Sequence, residues 1–339
     1  MNELLQSKYL GTSAIPITVC EICPHKCALK PGQMGKCRVR YNEGRLIQPI
    51  KTQCITTIGR QRIEDHALFH FFPGTRTFSL GSSGCTAVCD YCQNWELALA
   101  PLHGISWPAV IELDELAIIN KACDGNANAI VFTYNESIVW IEAVIRIMEE
   151  SHNFGLKNIL ITNGYLTRKT WDILIPILDA VKIDLKGYSN NFYREHFGIS
   201  LLPVLDSIEV LVNSDVWVEL STVIIPDMLD HKDAIKRFVE LIVTHADYST
   251  PWHLMRFFPS YLRNREPVGD IDRLRQMREH ALMAGLEFVY ISNVPNIPET
   301  NTYCPNCGTT LAKRASDAIP HLPFRCPRCH QYIPGVGLH

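Results

Sequence analysis

Three thiols fall within one short stretch, Cys85-Thr-Ala-Val-Cys89-Asp-Tyr-Cys92. In this C-x3-C-x2-C spacing, three thiolates can hold three corners of a [4Fe–4S] cluster, whereas clusters that only carry electrons take four cysteines. The next cysteine along the chain is Cys123. The fourth iron would therefore stay open to a cofactor or substrate. The competing use of Cys89 and Cys92 as a zinc knuckle needs two ligands from elsewhere. Two further groups could also hold metal. Cys304-Pro-Asn-Cys307 and Cys326-Pro-Arg-Cys329 are paired C-x2-C knuckles, suited to tetrahedral zinc or to a rubredoxin-like iron. So short a tail builds little core, so metal would supply its folding energy, on the order of 10 kcal/mol. Cys20-x2-Cys23-x3-Cys27-x9-Cys37 offers four thiolates to structural zinc or to a second iron–sulfur cluster, with His25 as a possible substitute ligand. Cys54 and Cys123 stand alone and are expected to be buried or incidental.

The elements that must position these groups show a repeated alternation. Strand-like runs occur at 77–81, 129–134, 159–162, 181–185, 216–225, 253–258 and 287–292. Helical patterns occupy 116–122, 136–150, 170–178, 203–213, 232–244 and 270–284. The clearest carries Ile138, Ile141, Val144, Ile145 and Met148 on one stripe. Strands alternating with helices imply a parallel sheet with helices outside it. Six or seven units are too few for a full eight-unit barrel. The expected fold is therefore α/β, an incomplete (β/α) TIM-type barrel of about six parallel strands, with a doubly wound open sheet as the alternative. Residues 1–75 form an N-terminal Cys-rich segment, 76–298 the partial barrel, and 299–339 a small zinc-ribbon-like domain.

A parallel barrel places functional residues at the C-terminal ends of its strands. Cys85 follows the first run, Asn135-Glu136 the second, Asn163 the third, and Asp184 and Lys186 the fourth. His253 and Arg256 attend the sixth and are expected to line a substrate side. Asn135 could instead cap the next helix, and Asp184 could simply pair with Lys182 or Lys186.

Composition narrows the function classes. The 339 residues are 47% hydrophobic and 20% charged, with a net charge of -3. A large core is affordable, and nothing in the overall charge calls for nucleic acid or a membrane surface. The first fifteen residues lack a basic and apolar leader, and no apolar run approaches a membrane span. Cysteine clusters without a secretion signal point to metal in a reducing cytosol. The expected location is cytoplasmic. Lys26, Lys30, Lys36, Arg38, Arg40 and Arg45 make the N-terminal segment locally basic, most simply as a solvated face.

The cysteine triplet, with Tyr91 just before its third member, after a first strand and a flexible Gly81-Ser82-Ser83-Gly84, resembles the radical S-adenosylmethionine (SAM) superfamily. Thr133-Tyr134-Asn135-Glu136 stands where that superfamily carries Gly-Gly-Glu. Asp184-Leu185-Lys186 and Thr162-Asn163-Gly164-Tyr165 resemble segments of glycyl-radical-enzyme activases, with Ile161 in place of the acid that precedes the latter. Cys20 to Cys37, Phe69-His70-Phe71-Phe72-Pro73-Gly74, Cys92-Gln93-Asn94-Trp95-Glu96 and the terminal knuckles together resemble the radical SAM component of the AmmeMemoRadiSam system. That resemblance implies a [4Fe–4S] cluster on Cys85, Cys89 and Cys92. It implies SAM positioned by Tyr91, Asn135, Glu136, Asn163, Asp184 and Lys186. It further implies reductive cleavage of SAM to a 5′-deoxyadenosyl radical, hydrogen abstraction from a protein or peptide, Memo-like and AMMECR-like partners, and an electron donor such as flavodoxin or ferredoxin. A glycyl-radical-enzyme activase is the alternative within this chemistry. A zinc-ribbon binding or scaffold module without catalysis is the alternative outside it.

Overall fold

A computed structural model describes residues 9–10, 17–44, 46–50, 55–102, 109, 111, 114–314 and 321–338. Cys54, Arg45 and most of residues 1–16 lie outside the described residues. One eight-stranded sheet dominates. Its strands are β1 (Thr57–Arg62), β2 (Arg76–Gly81), β3 (Ala129–Phe132), β4 (Lys157–Thr162), β5 (Ala180–Asp184), β6 (Trp217–Ile224), β7 (Trp252–Arg256) and β8 (Val289–Ile291). Seven of them, β2 to β8, run parallel in sequence order. A doubly wound sheet would reverse its order at a switch point. Here each crossover steps the same way, as in a barrel, and the outer strands β1 and β8 do not pair with each other. The fold is an open (β/α) barrel with one more parallel strand than the six expected.

The central strands are short and rich in buried apolar residues, because both faces of the sheet are covered. Ala129 to Phe132 and Ala180 to Ile183 are buried throughout. The outer helices bury one stripe. In α1 (Ile141–Asn153) the stripe is Ile141, Val144, Ile145 and Met148. The expected helix from Glu136 begins instead as a 3-10 turn, Ser137–Trp140. Its first turn is held by two other duties. Glu136 bonds sideways to β4, and the Trp140 indole donates to Ser83 O at 2.6 Å.

Among the elements that escaped the sequence reading, two bear on the barrel. Strand β1 is only half-buried along most of its length and pairs antiparallel with β2, so it shows neither a buried run nor a clean alternation. A polar helix at Asn190–Phe197 precedes the helix at Leu202–Val212. Its signals were the cap alone: Ser189 accepts the Phe192 N–H, and Gly198 ends it at φ 64°. Cys123 is exposed, so the lone thiol is incidental rather than buried. No described helix is long and apolar enough to cross a membrane.

The N-terminal segment and the tail both dock on the barrel. Thr167 Oγ1 and Thr170 Oγ1 donate to Glu21 O and Ile22 O at 2.7 and 2.8 Å. At the opposite end of the chain, Phe72 N donates to Val336 O, and Val336 N to His70 O. The Phe69-His70-Phe71-Phe72-Pro73-Gly74 segment is thus the seat of the tail.

Candidate functional site

The cysteine loop leaves β2 through Gly84, whose φ is +89°. A side chain there would also meet Val39 Cγ2 at 2.1 Å, so glycine is required by both conformation and space. The loop is fixed from several sides. Val88 N donates to Phe197 O, Asn94 Nδ2 to Tyr134 O, and Ser260 Oγ to Cys92 O. Asp90 takes His196 at 2.9 Å and Arg263 at 2.8 Å. Local amides meet the sulfurs: Ala87 N approaches Cys85 Sγ at 3.5 Å.

The structure gathers the expected residues around one cavity of about 320 Å³. Cys85, Cys89, Tyr91, Cys92, Asn135, Glu136, Asn163, Asp184 and Lys186 all line it. Sequence reasoning missed several other wall residues, among them Ser221, Val223 and Met255. Their strands were foreseen, but which residue of a strand end faces inward depends on register.

Glu136 is the most unusual group. Burial pushes its carboxyl up to about 7, against the opposing bonds from Asn163 N and the Thr162 hydroxyl. Those are its donors within the chain, at 2.9 Å each. A buried carboxylate so sparsely paired suits an incoming cation. Asp184 differs. It would be raised by burial, but Lys182 and Lys186 hold it far below the usual carboxylate range. The lysines lie at 2.8 and 3.2 Å, and Ser221 Oγ donates at 2.7 Å. The expected pairing with one lysine is a pairing with both. Lys186 also pulls the Cys89 thiol down, though burial wins and leaves it near 12. Tyr91 is buried, packed on Phe197 and Phe257, and its hydroxyl has no hydrogen-bond partner.

Four of the expected side chains already have partners within the chain. The side chain of Asn135 neither caps a helix nor points free into the cavity. It accepts from Ser82 N at 3.0 Å and donates to Gly84 O at 2.7 Å, so it anchors the cysteine loop. Asn163 likewise spends its amide on Thr86 Oγ1 at 2.9 Å. His253 is fully buried away from the cavity, on Glu219 at 2.7 Å and Ser292 at 2.5 Å. Its companion Arg256 binds Gly269 O. His253 lies near the start of β7, away from the strand's C-terminal end, whereas Arg256 is its last residue.

Tyr134 sits at φ 70°, a conformation that costs a non-glycine residue on the order of 1 kcal/mol. Its ring has room because Gly59 and Gly81 face it. A side chain on Gly81 would come within 2.8 Å of it.

The tail cysteines form a different kind of site. The sulfurs of Cys304, Cys307, Cys326 and Cys329 all lie within 4.8 Å of one another. Cys304 and Cys329 are 3.5 Å apart, Cys307 and Cys326 3.6 Å. Zinc–sulfur bonds of ~2.3 Å put tetrahedral sulfurs about 3.8 Å apart.

Comparison with known proteins accords with this geometry. Residues 80–242 match the family described as the Radical SAM superfamily. An uncharacterised protein of Methanocaldococcus jannaschii, MJ0808, is 33% identical over 312 residues, covering 91% of this chain and 92% of that one. A pyruvate formate-lyase-activating enzyme of Clostridium pasteurianum is 25% identical over 173 residues, covering 50% of this chain and 70% of that one. Among solved structures, Streptococcus suis SuiB superposes with a TM-score of 0.49 at 11% identity, over 64% of this chain and 48% of that one.

Proposed function

We propose that this chain, which belongs to the radical SAM superfamily, holds a [4Fe–4S] cluster on Cys85, Cys89 and Cys92 and abstracts hydrogen from a protein or peptide. The observation that carries this is the convergence of three thiols, a sparsely paired Glu136 and the Lys186 cation on one cavity at the strand C-terminal ends. When bound, cluster and SAM supply one-electron cleavage to a 5′-deoxyadenosyl radical. The donor set fits. Three soft thiolates leave one position free, and no three of the loop's sulfurs crowd to the spacing of the tail quartet.

The chain's own residues do the binding and orienting. Lys186 favours the thiolate at Cys89. Glu136 accepts the ligand's ammonium, a charge-assisted contact that returns the carboxyl to its ionised form. Asp184, kept ionised by its lysines, holds Lys186 in place. Asn135 and Asn163 brace the loop. The buried face of Tyr91 closes one wall.

A protein or peptide substrate rests on kinship. One relative is named for activating pyruvate formate-lyase, itself a protein. The Memo-like and AMMECR-like partners rest on the motif resemblance, as do a flavodoxin- or ferredoxin-type donor and a cytoplasmic location. In the tail, zinc on Cys304, Cys307, Cys326 and Cys329 fits the close sulfur spacing.

The deciding experiment measures 5′-deoxyadenosine from SAM and dithionite with anaerobically reconstituted protein, beside Cys89→Ala. Product from the wild type alone is expected. Equal yields from both would overturn the assignment. The activase reading is favoured instead if a glycyl-radical EPR signal appears on a co-incubated candidate partner.

A further inference from the structure

The N-terminal quartet is not built like the tail quartet. Among the described residues, Cys304, Cys307, Cys326 and Cys329 form the one group of three or more candidate ligands with every ligand atom within 4.8 Å of the others. No three of Cys20, Cys23, Cys27 and Cys37 meet that spacing, although all four are described. A single zinc with ~2.3 Å bonds needs its sulfurs about 3.8 Å apart. A cubane holds each sulfur outside its own iron and sets the four farther apart. The thiols of Cys85, Cys89 and Cys92 likewise do not all lie within 4.8 Å of one another.

The wider quartet is nevertheless one site. Cys20 lies in the hydrophobic core, and Cys23, Cys27 and Cys37 pack against that core. Cys20 N donates to Cys27 O at 3.0 Å, and Lys36 N donates to Cys27 Sγ at 3.4 Å. Amide–sulfur bonds of this kind stabilise thiolate clusters and tune their potential. The countercharge is Arg40. It is buried, its terminal nitrogens go to Glu142, Val139 O and Ile47 O, and its Nε has no oxygen or nitrogen partner. His25, once a possible ligand, is taken by Thr86 O at 2.8 Å.

We infer that Cys20, Cys23, Cys27 and Cys37 ligate a second, fully thiolate-bound [4Fe–4S] cluster. Its seat is the cysteine loop itself. A side chain on Gly84 would meet Cys37 O at 3.1 Å, and Gly84 immediately precedes Cys85. His25 grips Thr86, the next residue but one. A one-electron centre there, taking a single electron from a low-potential donor and giving it up again, lies against the loop that the proposed reaction must reduce. The metal's identity stands apart from the proposed function, and only its redox role rests on that reading.

The test separates the two sites by mutation. Anaerobically reconstituted Cys85→Ala/Cys89→Ala/Cys92→Ala protein is expected to keep about four irons, the content of one cubane, and about one zinc from the tail. After dithionite it should show a cluster EPR signal that SAM does not alter. Two zincs per chain with no cluster signal, or no metal beyond the tail zinc, would overturn the inference. The converse variant, Cys20→Ser/Cys23→Ser/Cys27→Ser/Cys37→Ser, should keep the other cluster, whose signal SAM does alter. If that second signal fails while the first stands, the SAM reading fails alone. In reduced wild-type protein, magnetic broadening absent from both variants is expected from two adjacent centres. Signals that simply add would overturn the adjacency.

Discussion

Glu136 and Glu219 are both fully buried carboxylates of the same barrel, and they are treated oppositely. Glu219, near the start of β6, has four donors: the N–H groups of Phe69 and His70 at 3.0 and 2.8 Å, His253 Nε2 at 2.7 Å and the Trp217 indole at 3.0 Å. Burial would raise its carboxyl, yet His253 and these amides hold it below its ordinary value. Glu136, at the end of β3, has one hydroxyl and one amide, and burial wins. A carboxylate whose acceptors are filled by the chain is structural. One left underpaired in a cavity is ready for a ligand, and this contrast, more than burial, separates the two ends of the barrel.

The surroundings extend the contrast. Below Glu219, His70 reaches Pro334 O at 2.7 Å and the Tyr290 hydroxyl at 2.6 Å, and Arg314 stacks on Phe69 at 4.0 Å. The tail thus completes the structural end. The largest effect should come from unmaking it. Cys307→Ser is expected to cost the tail its zinc, a loss on the order of 10 kcal/mol of local folding energy. Limited proteolysis should then cut within 299–339, and intact resistance with unchanged zinc would break the picture. Next, Glu219→Ala strands His253 and two amides, so urea melts should show about 3–5 kcal/mol less stability. A loss below about 1 kcal/mol would erase the distinction between the carboxylates.

Glu136→Gln should run the other way. The folded carboxyl sits near 7 against an ordinary 4.5. Between these values the folded chain holds the extra proton, so stability falls as pH rises through that window and then levels off. The glutamine variant should lose that slope and gain about 3 kcal/mol at pH 8, while its affinity for SAM, read by calorimetry on the reconstituted protein, falls at least about tenfold. A destabilised variant with unchanged affinity would make Glu136 a second Glu219. The smallest effect belongs to Asn135→Ala. Freed of its bonds to Ser82 and Gly84, the loop should lose about 1–2 kcal/mol and release iron faster under a chelator.

The chain by itself determined a good deal. Local spacing carried the three cysteine groups, because ligands close in sequence are close in space. Periodicity carried the strands and most of the helices, and the strand-end rule carried Glu136, Asp184 and Lys186 to one cavity. What only the tertiary structure decided depends on contacts between distant segments. Asn135 lines the cavity and also anchors the cysteine loop, because Gly84, more than fifty residues earlier in the chain, folds beneath it. His253 left the cavity because register set it beside Glu219. The two quartets have equal numbers of thiols, yet among the described residues only the tail group brings all of its sulfurs within 4.8 Å of one another. Sequence supplies the thiols and their order along the chain, while packing against the barrel fixes how far apart the sulfurs stand.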